Sequence, residues 1–135
     1  MKSFKLFMIP FLCFVLMAGC KKDEKTECQK LEGKWQLTSW REDGEEYFGT
    51  FITNSVIDFD KLDGDEGDFD WLITYFDGTS ESIFGEYEGN SSCTEITLSA
   101  DGSTPFDLDF EITDDELVLD GIIDGFAVEL EFERD

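Results

Sequence analysis

The side chains able to do chemistry in this sequence are thiols and carboxylates: Cys13, Cys20, Cys28 and Cys93, and 33 aspartates and glutamates, with no histidine anywhere. Without imidazole there is no Ser-His-Asp or Cys-His nucleophile, no histidine-held zinc and no imidazole general base. Carboxylate pairs of the glycosidase type can be picked from any chain this acidic, so their presence indicates nothing and no enzyme is expected. The densest acidic run is DFDKLDGDEGDFD, Asp58 to Asp70. Within it Asp63, Asp65 and Asp68, spaced around Gly64 and Gly67, are candidate calcium ligands, because hard cations take several carboxylate oxygens. The spacing is not that of an EF-hand: with Asp63 as the first ligand, the twelfth position is Thr74 rather than glutamate. The competing reading is a solvated hairpin loop between Phe59 and Phe69.

Of the thiols, Cys20 has the most telling surroundings. It follows the apolar run LFMIPFLCFVL and the small residues Ala18 and Gly19, and it precedes the charged run KKDEK. Lys2 and Lys5, the apolar stretch from Leu6 to Met17 and the small-residue boundary have the order of a secretory signal. The apolar stretch falls short of the roughly 20 residues that a spanning helix needs. LMAGC resembles the lipobox of bacterial lipoproteins. That resemblance implies cleavage after Gly19, acylation of the Cys20 sulfur and anchoring by two or three fatty acyl chains, enough to hold a small domain on a bilayer. Residues 1–19 are then signal peptide, and residues 20–30 a lipidated cysteine with a hydrated acidic tether, before a domain over residues 31–135. Lysine followed by acidic residues after the cysteine also resembles the export signal of Bacteroidetes-type lipoproteins, which implies an outer-membrane location with exposure at the cell surface.

Loss of Lys2 and Lys5 with the signal leaves eight basic residues against 33 acidic ones, a formal charge of −25. Such a chain repels nucleic acid and anionic head groups. No nucleic-acid partner and no cofactor are expected; cations and basic partners are favoured. With Cys13 cleaved and Cys20 acylated, Cys28 and Cys93 remain as an even pair in an exported domain, for which a disulfide is expected.

These groups must be positioned by strands. FDLDFEI puts Phe106, Leu108, Phe110 and Ile112 on one face and acids on the other, and FAVELEF does the same with Phe126, Val128, Leu130 and Phe132. Phe69, Trp71, Ile73 and Tyr75 alternate likewise, as do Ile83, Gly85 and Tyr87, and Ile96 and Leu98. Turn residues such as Asp77-Gly78, Gly89 to Ser92, Asp101-Gly102, Thr113 to Glu116 and Asp124-Gly125 punctuate the runs at short intervals. Trp35 to Trp40 and Val56 to Phe59 bring these runs to seven, close to the eight strands that close an up-and-down barrel. An all-β, antiparallel, up-and-down eight-stranded barrel is therefore expected, with a two-sheet sandwich disfavoured by the short connections. LEGKWQLTS, with Gly33, Lys34 and Trp35 at its centre, resembles the opening of lipocalin-like domains and the small lipoproteins of Bacteroidetes that carry them. The resemblance implies that Trp35 plugs the closed end of the barrel, that Arg134 covers it, and that a short chain makes a shallow barrel with a small cavity.

Two functions follow as expectations. In the first the barrel binds a small hydrophobic ligand through inward aromatics, with Trp35, Trp71, Tyr75, Tyr87 and Phe110 as ligand-binding candidates and Phe84 as a further lining residue. In the second the barrel is filled, and a monomeric, non-catalytic interaction lipoprotein presents its acidic face to a protein or cation partner. Either way the anchor is testable: Cys20→Ser should move the protein from the membrane fraction to the soluble one, and retention in the membrane with unchanged mass would contradict lipidation.

Overall fold

Alternation of apolar and polar residues produces strands over nearly the whole of the chain that the structure, a computed structural model, describes, residues 26–135. The strands are β1 (Gly33–Glu42), β2 (Glu45–Glu46), β3 (Ile52–Phe59), β4 (Glu66–Tyr75), β5 (Ser80–Gly89), β6 (Glu95–Ala100), β7 (Phe106–Ile112), β8 (Glu116–Ile123) and β9 (Phe126–Arg134). From β3 to β9 each strand pairs antiparallel with the next, and β1 pairs with both β3 and β9, so eight strands close into an up-and-down barrel with β2 as a short addition. The expected fold is the observed one. Closure leaves no long sheet edge for another chain to pair with.

β1 makes closure possible by bending. Gly33 to Gln36 pair with β3, whereas Arg41 and Glu42 pair with β2 across an Asp43-Gly44 turn. Its register against β9 slips between Leu37 and Ser39, the bulge that lets one strand serve two neighbours on one side. The Glu46 carboxylate stabilises this kink, accepting hydrogen bonds from the Ser39 hydroxyl at 2.5 Å and the Trp40 amide at 2.8 Å. Partial burial raises the Glu46 pKa, but these bonds, one from the Phe48 amide and the Arg41 charge together leave it lowered.

The closed end is built around Trp35, which is fully buried and donates its indole N–H to the Leu31 carbonyl at 2.8 Å. The Arg134 guanidinium lies 3.8 Å from the centre of the Trp35 ring and donates to the carbonyls of Glu32 and Lys30 at 2.8 and 2.9 Å. Arg134 therefore covers the tryptophan. Gly33 precedes it with φ of 116°, a conformation open to glycine, and a β-carbon there would come within 3.2 Å of the Arg134 side chain.

Leu31 of the preceding turn packs at the closed end, and Phe59, Phe69, Tyr87, Ile96, Leu117 and Phe132 fill the barrel interior, each at 1 % exposure or less. Phe59 and Tyr87 meet edge to face at 4.8 Å. The Tyr87 hydroxyl donates to the Asp60 carbonyl.

The segment Thr26 to Lys30, expected within the tether, is folded. Cys28 is buried and joined in a disulfide to Cys93, with their Cα atoms 5.2 Å apart, and Gln29–Leu31 form a 3-10 turn. Thr26 and Gln29 exchange hydrogen bonds that fix its start. Gly89 makes room for the bridge, since a β-carbon there would lie 2.5 Å from the Cys28 sulfur. The signal peptide and Cys20 lie outside the described residues. Because the bridge closes a loop spanning 65 positions, its replacement by Cys28→Ser with Cys93→Ser should lower unfolding free energy by about 2–4 kcal/mol in urea titration. An unchanged midpoint would contradict a stabilising role for it.

Candidate functional site at the barrel mouth

The inward rows change character from one end of the barrel to the other. Near the closed end they interlock, whereas at the opposite end they line a cavity of about 620 Å³. Its floor is Trp40, Trp71 and Ile73, all at least nine-tenths buried. Ile83 and Phe106 form one wall, and Ile123 and Phe126, at the β8–β9 turn, form another. Residues 102 to 104 of the β6–β7 loop and Asp124 complete the rim. The interior is thus filled below and open above, so neither a hollow nor a solid barrel describes it.

The floor is held rigid by polar contacts at the edges of its rings. Trp40 and Trp71 lie 5.7 Å apart between ring centres, tilted by 31°. The Trp71 indole N–H donates to the buried Ser55 hydroxyl at 2.8 Å, and that of Trp40 to Glu42 at 3.1 Å. Two carboxylates belong to the inward rows here: Glu42 follows Trp40 by two positions on β1, and Glu81 precedes Ile83 by two on β5. The Tyr75 hydroxyl donates to Glu81 at 2.8 Å. Burial, with that bond and the charges of Glu81 and Glu42, pushes the Tyr75 pKa up to about 12.

Of the candidate ligand residues, Trp71 and Tyr75 line the cavity. Trp35 and Tyr87 are instead parts of the closed-end packing, and Phe110 is buried on β7 beside Leu119 of β8. Phe84 points outward and is half exposed, because Ile83 and Gly85 take the inward row. Not anticipated were Trp40, Glu42, Glu81, Ile123 and Asp124. Their signal was positional: each lies at the mouth end of a strand or in the turn that follows it, which becomes visible only once the hairpin order fixes which ends meet.

The acidic loop does not gather into a metal site. Asp63 and Glu66 pair as a backbone bridge that turns the chain, the Asp65 carbonyl accepts from the Gly89 amide, and Asp68 lies on β4 opposite Glu86. Among the described residues no three carboxylate or thiolate side chains converge as a metal-holding group. The geometry does not place Asp63, Asp65 and Asp68 around one ion.

Residues 31–119, more than half the chain, match the family of lipocalin-like domains, and the protein belongs to that family. Its fold is also similar to that of solved barrels at low identity. A redesigned β-barrel shares 16 % identity at a TM-score of 0.63, with 81 % of this chain and 95 % of that one covered. A second redesigned barrel, mFAP0 bound to DFHBI, shares 15 % at 0.60, with 78 % and 100 % covered. Japanin from Rhipicephalus appendiculatus bound to cholesterol shares 10 % at 0.57, with 82 % and 79 % covered. No curated protein matches the sequence.

Tyr75 gives the site a measurable signature. Its neutral hydroxyl is favoured in the folded state, so its stabilising effect is complete below the ordinary pKa of 10.0 and is lost as pH rises towards about 12. Ultraviolet titration should show Tyr75 still protonated well above pH 10, and Glu81→Gln should bring its midpoint down. A Tyr75 midpoint at the ordinary value would contradict the arrangement.

Proposed function

We propose that this protein is a lipid-anchored, lipocalin-like binding protein that holds a small apolar molecule in the mouth of its barrel, without catalysing a reaction on it. The observation that carries the reading is the open cavity over the Trp40–Trp71 floor. At about 620 Å³ it falls within the roughly 300–1,000 Å³ typical of small-molecule pockets, and it combines apolar walls with a few polar groups at the rim. That two barrels of similar fold are solved with DFHBI and with cholesterol is consistent with ligand binding in such a scaffold.

Anchoring at Cys20, on the outer membrane and facing outward, rests on the LMAGC sequence and the acidic run after it. It also fits the fold's polarity. The described chain begins at Thr26, beside the Trp35 plug and the Cys28–Cys93 bridge, so a tether from Cys20 would hold the closed end towards the bilayer and leave the mouth pointing away. A filled barrel working only through its acidic exterior has less support, because the interior is not filled at the mouth.

The test uses N-phenyl-1-naphthylamine, a neutral apolar probe whose emission rises on leaving water. Saturable enhancement is expected, and Ile83→Trp, which places a larger ring in the cavity, should weaken the probe's affinity by about tenfold, the scale of steric exclusion from a packed site. No saturable response, or one indifferent to Ile83→Trp in a folded variant, would overturn the reading.

A further inference from the structure

The charges around the cavity are all of one sign. Glu42 and Glu81 stand on inward rows that are otherwise almost entirely apolar, and Asp124 stands on the rim at the β8–β9 turn. No lysine or arginine is among the described residues that line the cavity. The nearest cation along β1, Arg41, belongs to the outward row and is bound there to Glu129 by a salt bridge. Lys30 and Arg134 contribute to the closed end, Lys34 stands opposite Asp58 on the β1–β3 ladder, and Lys61 lies in the β3–β4 connection.

An anionic ligand such as a carboxylate would therefore bring its charge against two or three carboxylates with no counter-ion. A neutral ligand would leave Glu42 with the Trp40 indole N–H and the Tyr47 hydroxyl as donors, and Glu81 with the Tyr75 hydroxyl, but neither carboxylate with a counter-ion from the cavity lining. A cation would meet the carboxylates that line the cavity, with the indole rings of Trp40 and Trp71 nearby, whose π electrons favour ammonium groups over anions.

We infer that the mouth selects a cationic amphiphile, a molecule with an apolar or aromatic body and an ammonium-type head, with the body on Trp40, Trp71, Ile83 and Phe106 and the head between Glu42 and Glu81. This assignment rests on the apolar-binding reading above and names the ligand class for it. Glu42 is partly buried and Glu81 is exposed, but both line the cavity, and that separates them from the general acidic surface. Charges on the outer faces of strands act through solvent, where they are screened within about 8 Å at physiological salt, whereas Glu42 and Glu81 would sit against the bound molecule.

The experiment compares octyltrimethylammonium, octanol and octanoate, which share one chain and differ in head charge, by calorimetry and tryptophan emission in about 0.15 M salt, where the outer field is screened. The cation should bind about tenfold more tightly than the alcohol, and octanoate more weakly than either, the range given by cation–π and charge–charge contacts in a partly desolvated site. In the double variant Glu42→Gln with Glu81→Gln the cation-to-alcohol ratio should fall towards one. In Asp109→Asn with Glu111→Gln, on the outer face of β7, the ratio should stay. Saturable binding of octanol with no preference for the cation would overturn the ligand class while leaving the apolar site intact. A preference abolished by the β7 variant, or untouched by the Glu42 and Glu81 variant, would assign it to the outer field and overturn the inference. Failure of all three probes to saturate would remove the binding reading and the ligand class together.

Discussion

Pairing between the first long strand and the last is the contact on which the rest of the structure depends. Trp35 to Glu42 run antiparallel to Val128 to Arg134, residues about a hundred positions apart, and this ladder turns an open meander into a barrel. Closure defines an inside. Without it the row Phe126, Val128, Leu130 and Phe132 would face water, Arg134 would not reach Trp35, and the carbonyls of Lys30 and Glu32 would lose their donor. Because the ladder joins the two ends of the domain, it must form against a large loop-closure entropy, which places it among the slower contacts of folding. The Cys28–Cys93 bridge shortens part of that search by fixing the start of the domain beside the β5–β6 turn.

The two ends of the barrel divide the work. At the closed end large rings interlock with an arginine over them, and backbone carbonyls there are satisfied by side-chain donors. At the mouth the same alternating rows line an open cavity. The β1 bulge contributes to the difference: beyond Leu37 the strand leaves β3, and β2 with the following loop takes up the gap. Buried Ser55 sits where β3 has lost that neighbour, and it is satisfied by the Trp71 indole, so the same feature that opens the mouth also fixes one of the rings on its floor. Among the described residues no buried polar side-chain atom lacks a partner, which is the condition for such a polar insertion to be stable.

The barrel was legible because its strands are half-buried: a core face and an acidic face give a period of two that little else in the sequence competes with. The Gly33-Lys34-Trp35 opening carried the family. What was not legible had specific causes. Ile52 to Ser55 of β3 were missed because Asn54 and Ser55 break the apolar row where the ladder to β4 is irregular. β2 was missed despite its Asp43-Gly44 turn because two glutamates show no alternation. Thr26 to Lys30 read as tether because their order comes from the disulfide and from Arg134 reaching across to the Lys30 carbonyl, neither of which is a local pattern. At the site, aromatic type drew Trp35, Tyr87 and Phe110 into the ligand set, although position along the barrel axis decides which rings line the mouth. Glu42 and Glu81 were hidden among 33 acidic residues, and only the inward register distinguishes them.

The three tryptophans divide cleanly between the two ends, and each indole N–H has a different acceptor: the Leu31 carbonyl for Trp35, Glu42 for Trp40 and the Ser55 hydroxyl for Trp71. Their indole resonances in a nitrogen–proton correlation spectrum therefore report separately on the plug and the mouth. As an apolar ligand is titrated in, the Trp40 and Trp71 signals should shift together along one saturation curve while Trp35 stays in place. Shifts at Trp35 alone, or no saturable movement at Trp40 and Trp71, would contradict a binding site at the mouth of this barrel.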